Sequence, residues 1–299
     1  MKTPIKQVAI VGGTHGNELT GIYLLKRWEQ NPSEISRPSF STSLFFANPK
    51  ACEQNRRFID HDLNRCFGRD TLVEVNSSSY EHARAAVLNS MIGPKGAPKV
   101  DLVIDLHTST SNCGAMIILI DENPWNLRLA AFLQTRVPET RIYYIPPQLN
   151  QDADQPYLNS VCPRGLAVEV GPIPQGLLSY EIFSLSNEIV KHALDFAHTE
   201  NDGETLNLPN EIKVFRFLDW VLFPGQFPSF DAIIHERLQG RDYMPLHPGD
   251  PIFRTLSGGV IKYEGSKIVY PVFINEAAYY YKGVAMSLTT LETMALQKP

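Results

Sequence analysis

Over the first two thirds of the chain, short apolar runs that stop at glycine or proline alternate with stretches of helical content. This rhythm restricts the fold more than any single motif does. Gln7 to Val11 (QVAIV) runs into Gly12-Gly13, and Ser43 to Ala47 (SLFFA) stops at Asn48-Pro49. Val100 to Leu106 (VDLVIDL) is the strongest buried strand, and Gly165 to Val170 (GLAVEV) ends at Gly171-Pro172. Between these runs, Leu19 to Trp28, Tyr80 to Met91 and Asn123 to Val137 read as helices. Ser179 to Ala197 is the clearest amphipathic helix, with Ile182, Leu185, Ile189, Ala193 and Phe196 along one stripe. Alternation of this kind predicts an α/β domain built on a mainly parallel sheet.

The pattern changes near Asn201. The stretch NDGETLNLPNE reads as a linker, and beyond it the chain favours strands over Ile212 to Leu222, Val260 to Tyr263, Ile268 to Asn275 and Ala278 to Ser287. The expected organisation is a larger domain over 1–205 and a smaller β-rich domain over 206–299.

Composition narrows the class. A 299-residue chain with 43% hydrophobic and 20% charged residues is ordinary for a globular protein. The net charge is -5 and lysine and arginine form no block, so neither nucleic acid nor an anionic membrane is expected as a partner. No segment approaches the about 18 apolar residues that a membrane helix needs, and the N-terminal apolar run is too short for a signal peptide. Cys52, Cys66, Cys113 and Cys162 form no CxxC pair, which argues against a disulfide framework or a thiolate metal site and fits a reducing cytoplasm.

The segment GGTHGNE, Gly12 to Glu18, falls where the first strand gives way to the first helix. His15 and Glu18 are three apart, a spacing that lets an imidazole and a carboxylate meet on one ion, on one helical face or around a tight turn. HxxE alone arises often by chance. A catalytic zinc needs three protein ligands and an open position, and the third candidate is His107 in VIDLHTSTS, just past the strongest strand. Ligands of open α/β sheets gather at the carboxyl ends of the strands, so two histidines that each follow a strand end can be distant in sequence and adjacent in space. Asp105, two residues earlier, is expected on the opposite strand face, as an outer partner orienting an imidazole or as a strand-end acid. The glycines suggest a nucleotide site, but GGTHGN lacks both the GxGxxG spacing and the phosphate-loop Lys-Ser/Thr pair.

An activated water also needs a base. Glu169 sits inside the apolar strand GLAVEV, near its carboxyl end, where an isolated carboxylate is expensive unless paired or functional. The alternative is a strand-end glutamate facing solvent. RRFIDHDLNR, Arg56 to Arg65, is dense in planar recognition groups. Arg57 suits an oxyanion or a carboxylate, and Asn64 with Arg65 suits the far end of an acidic substrate. The bland alternative is a polar loop with local salt bridges among Asp60, Asp62 and the arginines.

Together these pieces resemble the aspartoacylase family of carboxypeptidase-like zinc hydrolases. VAIVGGTHGNELTG, RFIDHDLNR, DLHTSTSN and VEVGPIPQG carry the resemblance, and PLHPGDPIF with YPVFINEAAYY extends it through the C-terminal half in the same order. The resemblance implies an α/β fold, a carboxypeptidase-like mixed, mainly parallel sheet with helices on both faces, plus a C-terminal β-rich domain that caps the active site. It implies one zinc ion (Zn2+) per chain on His15, Glu18 and His107. It implies hydrolysis of N-acyl amino acids, with Glu169 as general base and then proton donor to the leaving amine. Arg57 would stabilise the oxyanion, Asn64 and Arg65 would hold the α-carboxylate, and Tyr279 would reach in from the second domain. The partner is then a small-molecule substrate, and self-association into a homo-oligomer is a further implication. N-acetyl-L-aspartate is the first substrate implied. One departure bears on it: the arginine that grips the β-carboxylate, about ten residues before the catalytic glutamate, is Asn159 here, and Arg164 stands nearby. An aminoacylase acting on neutral or aromatic N-acyl amino acids is the alternative.

Overall fold

The computed structural model describes residues 3–73, 78–147 and 154–296. The four apolar runs of the N-terminal part form β1 (Gln7–Gly12), β2 (Ser41–Phe46), β3 (Leu102–Thr108) and β6 (Gly165–Gly171). Two further strands, β4 (Gly114–Leu119) and β5 (Arg141–Tyr144), were not expected. The first follows so closely on β3, and the second is so short, that neither has a distinct punctuated signal of its own. The helices are α1 (Leu19–Gln30), α2 (Pro49–Glu53), α3 (Arg69–Val73), α4 (Tyr80–Ile92), α5 (Pro124–Arg136) and α6 (Tyr180–Asn201). Side chains of Asn48, Ser79, Asn123 and Ser179 cap α2, α4, α5 and α6, each accepting from a backbone N–H in the first turn.

Beyond residue 205 the chain forms β7 (Glu211–Leu222), the hairpin β8 (Gly225–Gln226) and β9 (Ser229–Phe230), β10 (Ala232–Ile234), β11 (Pro251–Thr255), β12 (Val260–Lys262), β13 (Tyr270–Val272) and β14 (Val284–Ala295). Among the described residues one nine-stranded sheet runs in the order β13-β14-β7-β5-β4-β6-β3-β1-β2. Its pairs are parallel from β2 to β6 and from β4 to β7, and antiparallel at β6–β4, β7–β14 and β14–β13. Strands from both halves of the chain therefore share one sheet. The remaining C-terminal strands build the small sheet β10-β11-β12 and the hairpin, over a core of their own that includes Phe223, Ile252, Phe253 and Met286.

Alternation along the central strands decides which helices cover which face. Val8 and Ile10 of β1, Leu102, Ile104 and Leu106 of β3, and Leu166, Val168 and Val170 of β6 pack with α1, α5 and α6. The other parity puts Ala9, Val11 and Val103 against Ala85, Leu88 and Ile92 of α4. Asp105, His107, Ala167 and Glu169 continue that second parity toward the carboxyl ends of β3 and β6. The apolar face is thus spent on the core, and the polar residues all emerge on the face of α4.

The predicted strand over Ala278 to Ser287 is only half a strand. Ala277–Lys282 is a 3-10 helix, and β14 begins after Gly283, whose φ is +69°. The cause is local: Glu276 caps the segment, its Oε1 accepting from the Ala278 N–H at 2.9 Å, and a left-handed glycine ends it.

Trp28 is fully buried on α1, and its indole N–H donates to Asn187 Oδ1 of α6 at 3.0 Å. Trp28→Ala is expected to cost about 3–5 kcal/mol in chemical denaturation, because a large cavity opens between α1, α6 and the sheet. A loss below about 1 kcal/mol would show that this side chain does not organise the helical layer.

Candidate metal centre and active site

β1, β3 and β6 lie side by side and point the same way, so their carboxyl ends form one rim. The chain leaves β1 through Gly13, whose φ of +71° is open to glycine and strained for other residues. It then turns at His15, where the Glu18 N–H donates to the His15 carbonyl at 3.2 Å. Of the two geometries that HxxE allows, the structure adopts the tight turn: α1 begins at Leu19, after both side chains. Gly16 fits this turn against Ala51, since a Cβ there would lie 2.2 Å from the Ala51 carbonyl carbon.

The turn brings His15 Nδ1 to 2.7 Å from Glu18 Oε1, while His107 Nδ1, from β3, lies 3.2 Å from His15 Nδ1 and 3.1 Å from Glu18 Oε2. All three residues are buried. Three lone-pair donors facing one another at these separations match the edges of a tetrahedral site, where ligand atoms about 2.0–2.1 Å from an ion stand slightly over 3 Å apart. The outward nitrogens are also committed. His15 Nε2 meets Asp62 Oδ1 at 3.0 Å and His107 Nε2 meets Asp105 Oδ2 at 2.7 Å. A carboxylate on the far nitrogen fixes the tautomer that leaves Nδ1 free to bind a cation. The donor set therefore fits a divalent metal such as zinc.

Asp105 shares the face of His107, and its other oxygen accepts from the Thr14 hydroxyl at 2.7 Å. The expectation that it points to the opposite face was wrong. Strand side chains alternate with period two, so residues i and i+2 emerge together.

Parallel pairing sets Glu169 directly beside His107. Among the described residues nothing donates a hydrogen bond to its carboxyl. Burial, and then the negative charge of Glu18, push that carboxyl well above the usual carboxylate range, against the pull of His107 and Arg57. Arg57 reaches the cluster from the loop after α2. Its Nη1 donates to Glu18 Oε1 at 3.0 Å and its Nη2 to Asp62 Oδ2 at 3.1 Å, while buried Nε has no partner. Burial alone would raise Asp62, but the Arg57 guanidinium and His15 hold it well below its ordinary value. The local salt bridge imagined for this loop exists between Arg57 and Asp62. Asp60 instead accepts from the Tyr80 N–H at the start of α4.

Asn64 and Arg65 follow on a short 3-10 turn that Asp62 caps. Asn64 Oδ1 accepts from the Leu158 N–H at 2.8 Å. The Arg65 guanidinium lies over the Tyr157 ring at 4.8 Å and donates to the Asn64 carbonyl. Among the described residues no carboxylate pairs with it. These groups and Tyr279 line one cleft together with His15, His107 and Glu169. Its other wall is apolar and aromatic: Ile118, Ile120, Tyr143, Ile145, Trp220 and Phe273. Asn159 lies in the lining, whereas Arg164 is turned away, donating to the Thr3 carbonyl and resting over Trp125.

Sequence reasoning missed Glu276. Its Oε2 accepts from the Ser109 hydroxyl and from the N–H groups of Thr110 and Ser111, which fastens the Tyr279 segment to the loop after His107. Its one sequence signal is its place in NEAAY, three residues before Tyr279. The aromatic wall was missed because it is assembled from β5, β7 and the segment after β13. The four cysteines are free, and burial pushes Cys66 up to about 12 and Cys113 well above its ordinary value, which makes neither a ready nucleophile.

Residues 4–197 match the family described as succinylglutamate desuccinylase/aspartoacylase catalytic domain, and residues 210–291 match the AstE/AspA barrel-sandwich hybrid domain. A probable aspartoacylase of Trichodesmium erythraeum is 45% identical over 97% of this chain and 98% of its own length. The N-acyl-aromatic-L-amino acid amidohydrolase (carboxylate-forming) of Rattus norvegicus is 42% identical over 95% of this chain and 90% of its own. The crystal structure of murine aminoacylase 3 superposes with a TM-score of 0.93 at 38% identity, covering 99% of this chain and 98% of that one. The fold, the clustered donors and the length of these matches lead to one conclusion: the chain belongs to the succinylglutamate desuccinylase/aspartoacylase family.

Proposed function

We propose that this protein is a zinc-dependent amidohydrolase of N-acyl amino acids and that it prefers neutral or aromatic side chains to aspartate. The observation that carries the hydrolase reading is the convergence of His15, Glu18 and His107 beside the raised carboxyl of Glu169. The amidohydrolase names of the relatives point the same way.

In this reading His15 Nδ1, Glu18 and His107 Nδ1 hold one Zn2+. Zinc bound there supplies a Lewis acid and makes water far more acidic than in bulk, with a pKa of about 7. Glu169 takes the proton of the attacking water and then delivers it to the leaving amine nitrogen. Arg57 donates to the oxyanion that forms on the scissile carbonyl. Its ties to Glu18 and Asp62 keep the guanidinium in place before the reaction, so little reorganisation is needed. Asn64 and Arg65 grip the α-carboxylate, a role for which Arg65 has no carboxylate salt-bridge partner among the described residues. Tyr279 and Trp220, from the C-terminal unit over 206–299, close the cleft over the substrate.

The preference follows from what surrounds the substrate side chain. A second carboxylate would meet Asn159, isoleucines and aromatic rings, with no free cation there among the described residues. Burying an unpaired charge is costly, while burying an apolar side chain on such a wall is favourable. The rival reading, N-acetyl-L-aspartate, has the name of the aspartoacylase relatives in its favour. A cytoplasmic location belongs to the same proposal. It is supported by four unpaired thiols, and among the described residues no helix is long and apolar enough to cross a membrane.

Three outcomes are expected. Glu169→Ala retains about one zinc per chain by elemental analysis but loses hydrolysis by on the order of 10³-fold; retained turnover removes Glu169 from the role of base. His107→Ala purifies with much less than one zinc, and full occupancy would sink the ligand assignment. Across N-acetylated Asp, Glu, Met and Phe, the zinc-loaded enzyme favours Met and Phe in kcat/KM by at least about tenfold, a difference of about 1.4 kcal/mol. An equal or higher value for Asp overturns the preference and leaves the hydrolase reading intact.

A further inference from the structure

Arg57 and Asp62 stand at either end of a loop without regular structure, between α2 and the 3-10 turn over Leu63–Arg65. Such a loop has to find partners for its backbone N–H groups, and those partners decide where its side chains go. Among the described residues the N–H groups of Ile59, Asp60 and His61 find no backbone acceptor. All three point at one side chain on a different element, Glu81 in the first turn of α4.

Glu81 is fully buried. Its Oε1 accepts from the Ile59 N–H at 2.7 Å and from Asn48 Nδ2 at 3.1 Å, and its Oε2 accepts from the N–H groups of Asp60 at 2.9 Å and His61 at 3.1 Å. All four partners are donors, and among the described residues no lysine or arginine takes part. The arrangement is an anion held by successive backbone amides at a helix N-terminus, with the anion supplied by the protein itself. Asp60 returns the contact by accepting from the Tyr80 N–H at 2.8 Å. Asn48 extends it: its N–H donates to the Gly13 carbonyl and its Oδ1 accepts from the Ala51 N–H. One carboxylate thus ties α4, the Arg57–Asp62 loop and the turn that carries His15 to a common point.

We propose that Glu81 is a positioning residue for hydrolysis: by clamping the backbone at 59–61 it holds Arg57 over the scissile carbonyl. It touches neither metal nor substrate, and it acts through Arg57. This inference rests on the hydrolase reading above, and misplacement by about 1 Å at such a site is enough to cost on the order of 10²-fold in rate.

The test compares the zinc-loaded wild type with Glu81→Gln, Glu81→Ala, Arg57→Ala and the double variant Arg57→Ala/Glu81→Gln, on an N-acyl amino acid that the wild type hydrolyses. Gln turns one acceptor oxygen into a donor facing an N–H, at little change in volume. Glu81→Gln is expected to keep about one zinc per chain and to lose kcat at least about tenfold, with KM changed by less than about threefold. The double variant is expected to be no slower than Arg57→Ala alone, because the two residues act in series. Additive losses in the double variant, or an unchanged kcat in Glu81→Gln, overturn the proposal. Amide hydrogen exchange gives a readout free of activity: in the wild type the N–H groups of 59–61 are protected, and in Glu81→Gln their protection falls while that of β3 and β6 is unchanged. Fast exchange at 59–61 in the wild type overturns the clamp even if both variants fail to fold. A wild type that hydrolyses no N-acyl amino acid refutes the hydrolase reading instead, and the exchange data still decide whether the clamp exists.

Discussion

Parallel hydrogen bonding among β1, β3 and β6 is the constraint from which the site follows. Backbone pairing registers Val11 beside Asp105 and His107 beside Glu169, so an acid stands next to a metal-type cluster without any attraction between the side chains themselves. The same geometry crowds Glu18, Asp62, Asp105 and Glu169 into one buried crevice, which would be unfavourable if they were left alone. Three of the four are paired: Glu18 with Arg57 and both imidazoles, Asp62 with Arg57 and His15, Asp105 with His107 and Thr14. Among the described residues Glu169 has no such partner, and burial holds its carboxyl well above the usual carboxylate range.

Arg57 and Tyr279 reach the cleft from segments outside the sheet, and a buried carboxylate binds the backbone beside each. Glu81 collects the N–H groups of 59–61, and Glu276 collects those of Thr110 and Ser111 together with the Ser109 hydroxyl. In each case an acid on one segment satisfies successive amides of another. Burial strengthens these contacts, because a low local dielectric raises the worth of each hydrogen bond and the penalty for breaking it. Arg57 and Tyr279 thereby approach the same cleft from opposite halves of the chain, each from a backbone anchored far from its own neighbours in sequence.

Substrate preference is a separate question from reaction type. Relatives with different names are nearly equally similar to this chain, so overall identity does not discriminate between an acidic and an aromatic substrate. The proposed preference rests instead on the residues that line the cleft. A strand order that sets β4 between β6, to which it runs antiparallel, and β5, to which it runs parallel, brings Ile118 and Tyr143 into the lining, and β7 adds Trp220 from beyond residue 205.

Much of the site was legible because its signals are local. Glycine and proline stops mark where strands end, so His15 and His107 could be placed at strand ends from the chain alone, and Glu169 stands out as a charge within an apolar run. The misreading of Asp105 was an error in applying strand periodicity, and that placement too was legible. The 3-10 helix over Ala277–Lys282 was hidden because the capping by Glu276 outweighs the strand-like composition of AYYYKGVA. The sequence by itself determined the alternating α/β layers, the metal-type donors and the family. Only the tertiary structure decided that strands of the C-terminal part join the main sheet, that Glu81 and Glu276 bind the backbone of the loops after α2 and β3, and that Asn159 lines the cleft. The physical reason is range: hydrophobic period and turn chemistry act over a few residues, whereas strand order and buried hydrogen bonds join positions separated by tens to hundreds.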